Sequence, residues 1–168
     1  MRTTAPAVLV AVALALAACG GSGNDAPDAP TRAEFIAKID AQCKVSNART
    51  KALNAEGAAA VEKATTDKQL LSILAPILER AYGQVRDNAA AFQAVNPPAA
   101  DAVEVERIRK LYDEQGEVVR KLAATAKRGD VPAFNALAAQ QKDVVKRARQ
   151  ATRAYGFKVC GSSKSDAT

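Results

Sequence analysis

The sequence predicts an all-α protein, an up-down-up-down antiparallel four-helix bundle. Alanine is heavily used, aromatics make up only 4% of the chain and tryptophan is absent, so helix is favoured and strand-forming runs hardly occur. Apolar residues recur at three- and four-residue spacings over four long segments. The breaks between those segments are short, which forces neighbouring helices to run antiparallel.

Each element has its own start and stop signals. Thr31-Arg32-Ala33-Glu34 reads as a capping box. The first helix then places Phe35, Ile36, Ile39, Cys43, Thr50 and Leu53 near one face and continues past Gly57 toward Ala64. Thr66-Asp67-Lys68-Gln69 offers a second cap, and the following segment repeats from Leu70 to Val95, with Pro76 inside it as an expected kink. Asn96-Pro97-Pro98 ends that helix, because a residue before proline is pushed out of the helical region. The third helix runs to Arg128 with Ile108, Leu111, Val118, Leu122 and Thr125 inward. Gly129 stops it, Asp130 caps the fourth helix and Pro132 sits in its first turn. Phe134, Leu137, Gln141, Val144, Ala148 and Tyr155 face inward there, and Gly156 ends the helix. An even number of antiparallel helices brings the end of the fourth beside the start of the first. The folded unit is residues 31–161, long enough for one core.

The chain before it has a different character. The apolar run Ala7–Ala18 is about half of the ~20 residues a spanning helix needs. Preceded by Met1 and Arg2 and followed by small residues, it reads as the h-region of a signal peptide covering residues 1–18. Leu16-Ala17-Ala18-Cys19 resembles the lipobox of bacterial lipoproteins, with leucine three places before the cysteine and small residues between. The resemblance implies diacylglycerol transfer to the Cys19 thiol, cleavage before it, and a lipid anchor holding the mature chain on the extracytoplasmic face of the cell membrane. Two or more acyl chains make a stable anchor. Residues 19–30, rich in Gly, Ser, Pro and Asp, are then a flexible linker with a mean reach of roughly 18 Å. Residues 162–168 form a tail expected to be disordered.

With Cys19 taken by lipid, export to an oxidising compartment allows one intramolecular disulfide, Cys43 to Cys160. Phe157 and Val159 can fold back along the bundle after Gly156 and bring the sulfurs together. Two buried free thiols are the alternative. The segments "FIAKIDAQCKVSN" and "YGFKVCG" are also similar to small uncharacterised lipoproteins of high-GC actinobacteria, a resemblance that supports the disulfide and assigns no chemistry.

The residues argue against catalysis. Histidine is absent, which removes His-based triads and ligation, and no glycine-rich phosphate loop precedes a lysine and a hydroxyl. The carboxylates of the third helix fit i,i+4 pairs, Glu106 with Lys110 and Glu117 with Lys121. No catalytic residue, cofactor or metal is therefore expected. Nucleic acid is not an expected partner either, because export and the lack of interleaved aromatics outweigh the net charge of +6.

Two features suit binding. Lys142, Lys146, Arg149 and Arg153 form a stripe on the fourth helix, with Lys158 beyond; it is either a solvated face or a contact for anionic lipid or an acidic envelope polymer. Ser46, Gln115, Thr125 and Gln141 are polar at inward positions and either fix register or, with Tyr82, Tyr112 or Tyr155, line a pocket between helices. The expected function is a membrane-tethered, non-catalytic binding, scaffolding or envelope-interaction module with a protein partner the sequence does not name. The alternative is a small-ligand carrier.

Overall fold

The computed structural model describes residues 30–162. The expected signal peptide, Cys19, nearly all of the expected linker and residues 163–168 of the expected tail lie outside the described residues. Four helices form: α1 Arg32–Lys63, α2 Asp67–Gln93, α3 Ala102–Arg128 and α4 Val131–Tyr155, with a 3-10 turn, Ala99–Asp101, before α3. Among the described residues there is no strand, and no helix is long and apolar enough to cross a membrane.

Local chemistry sets the helix ends. Thr31 Oγ1 accepts from the Glu34 backbone N–H, and the Glu34 carboxylate accepts from the Thr31 N–H at 2.8 Å. That backbone donor, with the Thr31 hydroxyl, holds the Glu34 carboxyl below the usual carboxylate range. Thr66 caps the Gln69 N–H, while Gln69 reaches back one residue further, to Thr65. α2 is continuous through Pro76, whose side is exposed. Asp130 caps α4 through the Ala133 N–H. Gly129 and Gly156 end α3 and α4 in the left-handed region, at φ 67° and 114°, where a Cβ would be strained.

The apolar faces assemble two core clusters. One, at the end where α1 begins and α4 stops, joins Phe35, Ile39, Phe92, Val105, Ile108, Tyr155 and Phe157. Phe35 meets the Tyr155 ring edge-on at 6.0 Å. Arg32 donates to the Tyr155 carbonyl at 2.8 Å and lies over its ring, so the start of α1 and the end of α4 adjoin as the topology requires. The other cluster, centred on Val118, Leu122 and Val144, ties α3 to α4.

Between these clusters the bundle is open on one side. α2 packs extensively on α3, α3 on α4, and α1 on α2, but α1 does not pack along α4. The cause is the composition of α1: its buried residues are Phe35, Ile39 and Asp40 at the start and Ala60 near the end, with none between. Thr50, expected to face inward, is exposed. At the near end the α1–α4 seam is closed by the C-terminal return, residues 157–162. Cys43 and Cys160 are disulfide-bonded with Cα atoms 5.2 Å apart. The Asp40 carboxylate accepts three backbone N–H groups, from Lys158 at 2.8 Å, Val159 at 2.9 Å and Cys160 at 3.1 Å. The return then runs so close to α4 that a Cβ on Gly161 would come 2.9 Å from Thr152 Oγ1 and 3.1 Å from the Arg153 backbone nitrogen.

The ion pairs differ from the expected i,i+4 set. Glu117 pairs with Arg120, one turn on at i,i+3, and not with Lys121. Glu106–Lys110 is not among the pairs of the described residues. Other pairs run between helices: Glu56 with Arg80 links α1 to α2, and Glu114 with Arg147 links α3 to α4.

Candidate ligand cleft

The unfilled α1–α4 seam is a cleft of about 370 Å³, within the range of small-molecule sites. All four helices and the C-terminal return line it. Leu53, Leu78, Val85, Val119, Leu122 and Val145 make its apolar surface. Of the inward polar and aromatic residues nominated by the sequence, Ser46, Tyr112, Gln115 and Gln141 lie on this wall.

Tyr82 and Tyr155 do not line the cleft. Tyr82 is half-buried on α2. Tyr155 belongs to the aromatic cluster, and its hydroxyl donates to Asp101 at 2.8 Å. Burial and that carboxylate push its phenol up, so it stays neutral. Thr125 is also off the wall, because its hydroxyl is spent on the carbonyls of Lys121 and Leu122 within its own helix.

The polar wall is largely self-satisfied. Gln84 Nε2 donates to the Ser46 carbonyl at 2.9 Å and to Thr50 Oγ1 at 2.8 Å, and Asn88 Nδ2 donates to Ser46 Oγ. Gln42 Nε2 donates to the Ala91 carbonyl at 3.4 Å. These amides attach the polar middle of α1 to α2, doing what apolar contacts do elsewhere in the bundle. Gln141 Oε1 is buried with no hydrogen-bond partner among the described residues, and Asn47, Asn54 and Gln115 of the wall make no side-chain hydrogen bond there.

The clasped end of the cleft has Ile39, Phe92, Tyr112 and the disulfide as walls. Tyr112 stands edge-on to Phe92, 5.6 Å between ring centres. Burial, helped by the negative charge of Asp40, pushes its phenol up to about 12. The Asp40 oxygens are already occupied by the three backbone donors.

The five cations of the stripe, Lys142, Lys146, Arg149, Arg153 and Lys158, are all exposed, and none is in an ion pair among the described residues. Arg149 differs from the rest in lining the cleft, where it is the one charged side chain of the wall among the described residues. Lys158 sits on the return, its backbone N–H held by Asp40. Among the described residues no group of three His, Cys, Asp or Glu side chains could hold a metal ion.

Sequence reasoning missed Asp40 and the amides Gln42, Gln84 and Asn88. Signals were present for each. Asp40 interrupts the apolar stripe between Ile36, Ile39 and Cys43, where a carboxylate needs donors. Ser46 and Thr50 on α1, and Gln84 and Asn88 on α2, are i,i+4 pairs of hydrogen-bonding residues at inward levels of adjacent helices. No family model, no curated protein and no solved structure matches this chain.

Proposed function

We propose that this chain is a lipoprotein tethered through Cys19 to the extracytoplasmic face of the membrane, and that it is a non-catalytic module binding a small, largely apolar ligand between α1 and α4. The cleft carries this reading: an apolar surface is left open in a bundle whose other seams are packed, with polar residues already bonded to one another around it. The tether rests on the lipobox resemblance and on position. Pro30, the first described residue, adjoins the clasped end of the bundle, so that end would face the membrane.

Two measurements test the two halves. Cys19→Ser should move the chain out of the membrane fraction, and retention of both forms contradicts the anchor. For the cleft, hexanol serves as a neutral probe. It should shift the methyl resonances of Val85, Val119 and Val145 saturably, and Ala81→Trp should abolish the shifts with helical circular dichroism intact. Methyl shifts absent or unchanged by that substitution contradict the binding reading.

The exposed stripe favours a second role, contact with anionic lipid or an envelope polymer. Each basic residue near such a surface contributes about 1 kcal/mol, and screening confines the effect to about 8–10 Å. Arg153 and Lys158, at the clasped end, would then matter more than Lys142. A scaffold with a specific protein partner would use the same face.

A further inference from the structure

The geometry points to a single-chain carboxylate amphiphile as the ligand of the cleft, its carboxylate on Arg149 and its hydrocarbon chain running along the wall toward Leu53 and Leu78. This rests on the binding reading above and adds the chemical class. From Ile39 to Asn54 the α1 wall of the cleft is ~22 Å long, at about 1.5 Å per helical residue. A volume of about 370 Å³ spread over that length is a trough for one chain, too narrow for a two-chain lipid or a broad fused-ring molecule.

Charge then selects the head group and its place. The wall carries one cation, Arg149, and no carboxylate among the described residues. Arg149 lies one turn before Arg153, against which Gly161 of the return packs, so the charge sits toward the clasped end. Lys146 and Arg153, exposed and free of ion pairs among the described residues, add positive potential on the same helix. A guanidinium binds a carboxylate through two parallel donors, which a neutral alcohol cannot accept. Away from Arg149 the cleft keeps an apolar surface on α2, α3 and α4, in Leu78, Val85, Val119, Leu122 and Val145, while on α1 Asn47 and Asn54 are exposed beside Leu53 and the donors of Gln42, Gln84 and Asn88 are spent on the protein. That end therefore suits methylene groups, each worth about 0.8 kcal/mol on burial.

Photoaffinity labelling in membranes holding the full chain tests the assignment, with palmitate carrying a diazirine near its methyl end as the probe. Irradiation should label residues near Leu53 and Leu78. Excess palmitate should suppress labelling, whereas hexadecanol and dipalmitoyl phosphatidylglycerol should not. Arg149→Gln should lower labelling at least about tenfold, in line with loss of a charge-assisted hydrogen-bonded pair. Arg149 is exposed, so that variant keeps the fold, checked by unchanged helical circular dichroism. Equal competition by hexadecanol, or no effect of Arg149→Gln, overturns the anionic class while a positive hexanol result leaves the cleft reading standing. Competition by the two-chain lipid overturns the single-chain assignment. Labelling confined to sites outside the cleft overturns the proposal.

Discussion

Two residues at the clasped end show how much depends on single side chains. Asp40 holds the C-terminal return by accepting from three successive backbone N–H groups. In Asp40→Asn one oxygen becomes a donor facing donors, so the variant should lose about 1.5–3 kcal/mol in denaturant unfolding. A change within error would show that the disulfide alone fixes the return. Tyr112 reports the same region through its proton. Its phenol is raised to about 12, whereas in the unfolded chain it titrates near the ordinary value of about 10. The folded state therefore binds this proton more tightly. The associated stability is fully present below pH ~10 and is lost as pH rises through about 12. Ultraviolet difference titration of wild type against Tyr112→Phe should assign one late-ionising phenol to Tyr112, and an ordinary titration there contradicts its burial. Such residues were hard to read from sequence alone. Asp40 has its partners 118 to 120 residues away, and Gly161 has a space requirement set by Thr152 and Arg153.

At the scale of elements, the helix ends were legible because their chemistry is local. Thr31 with Glu34, Gly129 with Asp130, and Gly156 each act within a few residues of sequence. The middle of α1 was not legible as an open wall. Its Cys43, Thr50 and Leu53 keep helical spacing, but Ser46 and Thr50 are polar and find their partners in Gln84 and Asn88 of α2. Gln84 is the central fastener, bonded to both Ser46 and Thr50. Gln84→Ala should cost about 1 kcal/mol and speed amide exchange in α1 beyond Ser46 more than in α3. Uniform acceleration through the bundle would instead mean that α1 and α2 unfold as one unit with the rest.

At the scale of the whole molecule, the topology follows from short breaks between amphipathic helices, and the cleft follows from what the topology leaves unfilled. Four of the seven residues nominated for a pocket reach it, since inward polarity marks them; Tyr82 does not line it, and Thr125 and Tyr155 bond elsewhere, which spacing along one helix does not reveal. The bond between Cys43 and Cys160 closes a sequence separation of 117 residues, and in the chain-entropy description a loop of this size contributes up to about 4.7 kcal/mol. Reduction should lower the melting temperature and loosen the return before it disturbs the α3–α4 pair held by Glu114 and Arg147. Simultaneous loss of both would contradict a locally clasped seam.

In the proposed function the α1–α4 seam is a filled binding site in the cell. Native mass spectrometry of the full chain, released gently from its own membranes, tests this most directly. One small molecule per chain is expected, lost in Ala81→Trp and diminished in Arg149→Gln. A bare chain under the same release, or an adduct that survives Ala81→Trp, would contradict it.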